Sequence, residues 1–334
     1  MHDQTSASDE RQILLTGASG FVGKALLTAL IADKKHLICP SRRPLDTLAA
    51  GVSNPQIKDL SAITDWSPLL FNVDVVIHCA ARVHVMHESV DNPLALFREV
   101  NVAATMRLAE QAALAGAKQF IFISSVKVNG EATQPGHPYT ETTPSHAHDP
   151  YGISKCEAES ALLALGVQRG MSVTIIRPPL IYGPGVKANF ASMLQWVKKG
   201  IPLPFGSIHN KRSFVYLENL VSLVLCCLGN PRAAQQVFLV SDGHDLSTTE
   251  LLQLCAQAMH VRSRLLPFPT ALLILFANLA RRPAITDRLC GTLQVDISKA
   301  KQLLGWTPPY SVAQGLSATI AAFQPSTATT TTTP

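Results

Sequence analysis

The chain has 334 residues, of which 47% are hydrophobic and 15% are charged, and its formal net charge at pH 7 is +5. This length suffices for two substructures around a sizeable core. The positive excess is modest and is not gathered into one run, so we expect a small anionic ligand and no nucleic-acid partner. Seven cysteines without disulfide-framework spacing predict reduced thiols and a cytoplasmic protein.

A glycine-rich turn follows the first predicted strand. Residues 1–10 are polar and predict a disordered arm without a signal peptide, and an apolar strand then leads into GASGFVG at 17–23. Glycines between a strand and a helix let the backbone approach a pyrophosphate, which rests on the helix amides. The alternative is a turn that merely needs positive φ. The residues expected to bind the dinucleotide are Gly17, Ser19, Gly20, Phe21, Val22 and Gly23.

The second predicted strand ends before Arg42 and Arg43, where an NAD-binding site usually has a carboxylate for the ribose hydroxyls. Two guanidinium groups suit a 2′-phosphate, so NADP(H) is favoured and NAD(H) stays possible. The other interpretation is a solvated basic loop. Asp59 and Leu60 follow a third strand and are expected to meet the adenine, unless Asp59 only caps the next turn.

Tyr151 and Lys155 stand four residues apart in YGISK, and Ser125 lies 26 residues upstream of the tyrosine. Residues four apart share a helix face, so the ammonium is expected to lie beside the phenol and to lower its pKa. Such a tyrosine can exchange a proton at a carbonyl or carbinol carbon. Taken alone, the pair is weak evidence, because such pairs occur by chance in many helices as ordinary surface contacts.

The order of eight segments resembles that of the extended short-chain dehydrogenases/reductases, in their NAD-dependent sugar-nucleotide epimerase/dehydratase group, over about residues 11–320. These segments are GASGFVG (17–23), HCAA (78–81), NVAAT (101–105), ISS (123–125), YGISK (151–155), RPPLIYGP (177–184), RSFVY (212–216) and LGWTP (304–308). AARVHVM (80–86) and SVKVNG (125–130) are most similar to members labelled UDP-glucose 4-epimerase-like, some of which are 4-keto reductases making UDP-N-acetyl-6-deoxyhexosamines.

The resemblance implies a role for each catalytic position. Ser125, rather than Ser124, would hydrogen-bond the reacting oxygen, and Tyr151 would exchange its proton. Lys155 would lower the pKa of the tyrosine and bind the nicotinamide ribose. Asn101 would hold a water or a backbone group in the same network, or would simply bond a neighbouring loop.

Further contacts are implied on both sides of the reacting centre. Ala80, Ala81, Arg82 and Pro178 would line the cofactor site. His84, Lys127, Arg212 and Arg288 would meet the substrate. Arg212 is the candidate for the diphosphate, or else a rim charge, and Arg288 is a weaker second clamp. No metal is expected, because no cysteine or carboxylate spacing completes a ligand set around the histidines at 84 and 87.

The predicted fold is α/β: a Rossmann-type doubly wound parallel sheet with a smaller C-terminal α/β substrate domain. Strands are expected near 12–16, 36–39, 74–78, 119–124 and 172–177. A dinucleotide-binding domain would span 11–177 and a substrate domain 178–323, some of whose segments rejoin the large sheet, before a disordered Thr-rich tail at 324–334.

Two apolar regions point to further contacts. Helices near 94–115 and 152–169 are apolar on more than one face, and the family's homodimer, built through a four-helix bundle, would cover them. The apolar run 265–280 is too short and interrupted for a transmembrane span. It predicts a core or lid helix or, less favoured, peripheral attachment to a membrane.

Departures from the family pattern bear on the reaction. Dehydratases carry an Asp-Glu pair where this chain has Val126 and Lys127, so loss of water is disfavoured. Leu180 stands where many epimerases carry Asn, and the paired arginines favour one-way reduction.

The sequence therefore predicts an NAD(P)-dependent sugar-nucleotide oxidoreductase that reduces the C4 keto group of a UDP-6-deoxy-N-acetylhexosamine for surface polysaccharide synthesis. The leading alternative is a UDP-hexose or UDP-N-acetylhexosamine 4-epimerase with tightly bound NAD. Ketone reduction of the steroid or flavonoid type and a non-catalytic dinucleotide-binding protein on the same fold are further alternatives.

Overall fold

Seven parallel strands form the central sheet of the computed structural model, which describes residues 11–45, 49–83, 92–279 and 283–323. They are β1 (Gln12–Thr16), β2 (His36–Ile38), β3 (Val52–Ser53), β4 (Val73–His78), β5 (Gln119–Ile123), β6 (Ser172–Arg177) and, numbered by chain order, β9 (Gln236–Leu239). Their spatial order is β3-β2-β1-β4-β5-β6-β9. The inner strands are buried on both faces, which explains why they read as continuous apolar runs.

Two short strands lie outside the large sheet, namely β7 (Leu180–Tyr182) and β8 (Phe214–Tyr216), which pair in parallel. The helices are α1 (Phe21–Ala32), α2 (Pro93–Arg98), α3 (Ala104–Leu114), α4 (Pro150–Arg169), α5 (Ala188–Lys198), α6 (Leu217–Cys227), α7 (Thr248–Ala258), α8 (Thr270–Leu279), α9 (Pro283–Cys290), α10 (Ser298–Leu304) and α11 (Val312–Phe323). A π-helical turn over Glu99–Ala103 joins α2 to α3.

The core has three parts. Helices α1 and α6 cover one face of the sheet with side chains such as Leu26 and Leu223, and α3 and α4 cover the other with Leu108 and Leu162. A third apolar cluster joins β7 and β8 to α5, α7 and α11. The doubly wound architecture is therefore as the sequence predicts.

Strand β9 comes from the C-terminal half of the chain, yet it pairs with β6 in the large sheet, from Thr174↔Gln236 to Arg177↔Leu239. This return matches the expectation that C-terminal segments rejoin the sheet. The exact division at residue 177 stays a prediction, and the arms at 1–10 and 324–334 lie outside the described residues. Within the described ranges, we find no helix whose length and apolar character would let it cross a bilayer.

The crevice that matters for function lies between β1 and β4. In the strand order the chain leaves β1 toward β2 and later returns to β4 on the opposite side. Loops at the carboxyl ends of two such strands diverge, and ligands of open α/β sheets bind at this switch point. Gly17 follows β1 there, and Cys79 follows β4.

Candidate active site

The glycine turn after β1 is built by close backbone approaches. Gly17 has a φ of +72°, and a Cβ at this position would lie 2.7 Å from the backbone nitrogen of Ala80. A Cβ on Gly23 would lie 2.1 Å from the carbonyl oxygen of Gly17. Side chains at these two positions would therefore fill the turn, so it needs glycine both for positive φ at Gly17 and for the close approach of the backbone.

Helix α1 begins at Phe21, with Gly20 as its N-cap. Because glycine has no side chain to accept from the first-turn amides, their N–H groups are left for an external acceptor. The positive end of a 12-residue helix thus faces the crevice. The turn and the helix together fit the pyrophosphate of a dinucleotide.

The second strand leads to a basic rim. Arg42 and Arg43 are exposed and, together with Ala18 and Ser19, they line a cavity of about 830 Å³ beside the glycine turn. The two arginines therefore lie where a ribose 2′-substituent is expected. Asp59 instead accepts hydrogen bonds from the hydroxyls of Ser61 (3.2 Å) and Thr64 (3.4 Å). These bonds match the alternative interpretation of Asp59 as a turn cap.

The floor of the crevice carries a buried histidine that the sequence analysis did not single out. His78 ends β4, with Nδ1 2.7 Å from Thr16 Oγ1 and Nε2 3.1 Å from Thr105 Oγ1. Burial, and then the nearby Lys155 ammonium, lower the pKa of His78 to about 3. The ring is therefore neutral at physiological pH and links β1, β4 and α3 beneath the loop that holds Ala80 and Ala81.

The serine and the tyrosine of the predicted catalytic set meet. Ser125 begins a 3₁₀ turn, accepts from the Lys127 amide at 3.2 Å and lies beside Tyr151, where its hydroxyl acts to lower the pKa of the phenol. A Cβ on Gly152 would lie 2.9 Å from the Lys127 carbonyl, so only glycine lets α4 approach this turn so closely. Asp149 caps α4 by accepting from the amides of Tyr151 and Gly152.

Ser124 points elsewhere, which agrees with the preference for Ser125. Its hydroxyl donates to Glu159 in a buried network. Arg177 donates through Nε to both Glu159 oxygens (3.0 and 3.1 Å) and through Nη1 to Asn129 Oδ1 at 3.1 Å. Spacing alone did not reveal this network.

Lys155 is fully buried on the Tyr151 face of α4. Its ammonium donates to the Ile123 carbonyl at 2.9 Å and lies 4.1 Å from the centroid of the Phe122 ring. Burial lowers the pKa of Lys155 to about 8, against the opposing effects of Glu159 and Cys79. The Ile123 carbonyl, at the end of β5, thus fixes the ammonium beside the crevice.

The expectation that Lys155 lowers the pKa of Tyr151 is not met in this arrangement. Burial, and then the Asp149 carboxylate, raise the pKa of Tyr151 to about 12, and the Ser125 hydroxyl only partly opposes them. The physical reason is that desolvation of the phenolate dominates, while the Lys155 ammonium donates to the Ile123 carbonyl and not to the phenol.

Asn101 lies in the π-helical turn and is 1% exposed. Its Oδ1 accepts from the Arg82 amide at 2.8 Å, and its Nδ2 donates to the Arg82 carbonyl and to Ser154 Oγ. Asn101 therefore ties the loop after β4 to α4. The backbone group that it binds, Arg82, belongs to a neighbouring loop, so both interpretations of this residue describe the same contact. Extra residues in π-helical turns often re-aim side chains at functional sites.

The other predicted residues divide into those near the crevice and those away from it. The Pro178 carbonyl accepts from the Val126 amide at 3.0 Å, so Pro178 flanks the serine turn. Lys127 is paired with Glu131 at 2.9 Å and Asp149 at 3.0 Å, so its charge is already neutralised. Leu60 packs on the apolar cluster under α3.

The predicted phosphate clamps lie in the C-terminal half of the chain. Arg212 donates to the Gly291 carbonyl at 3.0 Å, and burial lowers its pKa. Arg288 is exposed on α9. Gly291, whose carbonyl accepts from Arg212, comes directly after this helix. His84 lies outside the described residues. Among the described residues, no group of three or more His, Cys, Asp or Glu side chains is placed to hold a metal.

Comparison with known proteins identifies the family of this chain. The sequence model of the "NAD dependent epimerase/dehydratase family" matches residues 13–241. A UDP-glucose 4-epimerase from Vibrio cholerae is 50% identical over 315 residues, which cover 94% of this chain and 95% of that protein.

Solved structures share the fold at lower identity. A UDP-glucuronic acid 4-epimerase from Bacillus cereus in complex with NAD superposes with a TM-score of 0.75 at 22% identity, over 93% of this chain and 98% of the other. RMD from Pseudomonas aeruginosa complexed with NADPH gives a TM-score of 0.70 at 23% identity, over 94% and 99%. The family match covers more than half of the chain, and the chain thus belongs to the NAD-dependent epimerase/dehydratase family.

Proposed function

We propose that this enzyme is a 4-epimerase of a UDP-hexose or a UDP-N-acetylhexosamine. The observation that carries the proposal is the 50% identity to a UDP-glucose 4-epimerase over nearly the whole of both chains. The sequence motifs favour 4-keto reduction over epimerisation, whereas this identity favours the reverse order.

The cofactor we propose is NAD, held by the glycine turn and the start of α1. An epimerase oxidises and re-reduces the same carbon, so its cofactor ends each turnover as it began and can stay bound. When bound, a nicotinamide dinucleotide exchanges a hydride with C4 of the sugar. Ala80 and Ala81 have small side chains, which leave room for the dinucleotide. The backbone is close-packed here, since a Cβ on Gly17 would lie 2.7 Å from the Ala80 nitrogen.

Three side chains would carry the proton chemistry. Tyr151 would take the proton of the C4 hydroxyl as that carbon is oxidised and return it when the carbon is reduced from the other face. Ser125 lies beside Tyr151 and would donate to the same oxygen, which stabilises negative charge as it develops. Lys155 would bind the nicotinamide ribose through its ammonium, which donates to the Ile123 carbonyl in this structure.

The remaining predicted contacts are proposed for the sugar nucleotide. Arg212 is largely buried and carries a guanidinium with further donors beyond its bond to Gly291, so it suits a diphosphate. Lys127 would contact the sugar only by exchanging one of its two carboxylate partners. We propose Arg288 and His84 as rim contacts.

The proposal is tested with purified protein and UDP-glucose or UDP-N-acetylglucosamine, without added cofactor. We expect conversion to the C4 epimer, followed by proton NMR of the anomeric signals, and release of NAD on acid denaturation. Absence of interconversion for both substrates, with added NAD as well as without it, would contradict the assignment.

Reduction of a 4-keto sugar is the second candidate, and one observation favours it. Arg42 and Arg43 line the cavity beside the glycine turn, where they would bind the 2′-phosphate of NADPH. Stoichiometric loss of NADPH absorbance with a UDP-4-keto-6-deoxy-N-acetylhexosamine, together with inactivity in the epimerase assay, would establish this function instead.

We further propose a homodimer through α3 and α4 and a cytoplasmic location. Leu114 and Val167 are exposed apolar side chains on these two helices, which a partner copy would cover. All seven cysteines are free thiols, which suits a reducing compartment. Sedimentation velocity tests the dimer, since Val167→Glu should shift it toward the monomer.

A further inference from the structure

Helix α8 exposes apolar side chains around nearly its whole circumference. Leu275 is 52% exposed, Phe276 57% and Leu279 77%, and Leu272 and Ile274 are exposed as well. A helix that is hydrophobic all round is normally buried in a core or in lipid. A contiguous apolar patch of this kind on the surface marks a site of interaction.

The patch continues onto the segments that adjoin α8. Leu203 pairs with Leu265 as an isolated bridge, which brings the chain after α5 alongside the chain before α8. Exposed apolar side chains on these segments are Trp196, Ile201 and Leu266. Tryptophan is enriched at membrane–water interfaces, because its ring is apolar and its N–H is polar.

Positive charge flanks the patch on the segments beside α5 and α8, and the next carboxylate along the chain after α8 is Asp287 on α9. Residues 186–206 contain three lysines and residues 260–286 contain four arginines, and neither range contains Asp or Glu. Lys198, Lys199, Arg262 and Arg264 are exposed beside the patch. Two of the four arginines, at 281–282, lie outside the described residues. This charge is complementary to an anionic surface.

We propose that α8 and these neighbouring segments dock the enzyme on the surface of an anionic lipid bilayer. A helix of 10 residues is roughly 15 Å long, half the hydrocarbon thickness, so it would lie in the interface and not span it. Its apolar side chains would enter the headgroup boundary, and the flanking cations would meet lipid phosphates.

A second copy of the chain fits this surface less well. A symmetric dimer brings the same patch of each subunit together, so the cations around α8 would face their own counterparts. Neither flanking range offers a carboxylate to pair with them. Anionic lipid satisfies both the apolar helix and its basic surroundings. This inference goes beyond the proposed function and does not rest on it.

The test is co-sedimentation of the full chain with vesicles of phosphatidylcholine, alone or with about a third phosphatidylglycerol. We expect binding to the anionic vesicles only, weakened by salt. Leu275→Glu combined with Phe276→Glu should reduce binding at least about tenfold, since two apolar side chains that the bilayer would bury are lost. Phe71→Glu, at a residue that is 77% exposed in another region, is the matched control and should bind like wild type.

A charge variant separates the electrostatic contribution from the apolar one. Arg262→Gln combined with Arg264→Gln should weaken binding about 30-fold, since each cation near an anionic bilayer contributes a factor of roughly five. Sedimentation velocity of the Leu275→Glu, Phe276→Glu variant then tests whether a second copy of the chain binds this surface instead. Failure of wild type to bind either vesicle, equal binding of the double-Glu variant, or loss of a dimer in that variant would overturn the proposal.

Discussion

Acid should destabilise this protein through His78, and the structure gives the size of the effect. The ring is fully buried between Thr16 and Thr105, and its pKa falls from 6.5 to about 3. Between these values the unfolded chain binds a proton that the folded chain does not, so stability falls as the pH is lowered. From pH 7 to about pH 4.5, this one group should cost about 2.5 kcal/mol at 1.36 kcal/mol per unit of pKa.

The measurement is the free energy of unfolding in urea at both pH values, for wild type and for His78→Gln. The variant loses stability at both, because the glutamine cannot reproduce both threonine contacts. Its loss between pH 7 and about pH 4.5 should nonetheless be about 2.5 kcal/mol smaller than that of wild type. His137→Gln, at an exposed position, should keep the wild-type pH dependence. Equal pH dependence in His78→Gln and wild type would refute the reasoning.

Three further predictions concern the site. Tyr151→Phe should lower kcat at least about 100-fold while dinucleotide binding, followed by fluorescence quenching, is retained; normal turnover would remove the tyrosine as proton carrier. Gly23→Ala should abolish dinucleotide binding, because its Cβ would lie 2.1 Å from the Gly17 carbonyl, a backbone atom that cannot yield; wild-type affinity in calorimetry would show that the turn is not the cradle. Arg42→Asp should lower affinity for NADPH relative to NADH, and an unchanged ratio would separate this loop from cofactor choice.

The catalytic motifs did not distinguish 4-epimerisation from 4-keto reduction. The proposed set of Ser125, Tyr151 and Lys155 would serve both reactions, so these residues do not distinguish them. The preference for reduction depended on a resemblance to 4-keto reductases, on Leu180 and on the two arginines after β2, which are exposed and line an open cavity. Exposed arginines can accommodate NAD(H) as well as NADP(H) more readily than a closed pocket would. The basic rim was therefore weak evidence for cofactor choice and hence for the reaction.

The spacing of Tyr151 and Lys155 did not predict the pKa of the tyrosine. Four residues along a helix place Lys155 on the face of Tyr151, as predicted. Spacing says nothing about what else the ammonium meets, and here the Ile123 carbonyl and the Phe122 ring hold it. Only the packing of β5 against α4 determines these partners.

The sequence by itself determined the doubly wound sheet, the glycine turn and the serine, tyrosine and lysine positions. Each of these depends on local patterns: apolar runs of strand length, glycines at a strand–helix junction, and residues four apart on one helix. Tertiary structure alone decided the neutral His78 beneath the crevice and the Ser124, Glu159, Arg177 and Asn129 network. It also decided that the π-helical turn aims Asn101 at Arg82. These groups are far apart in sequence and meet because parallel strands bring their carboxyl ends to one edge. Burial there lowers the pKa of His78, and packing sets the hydrogen-bond partners of the other groups.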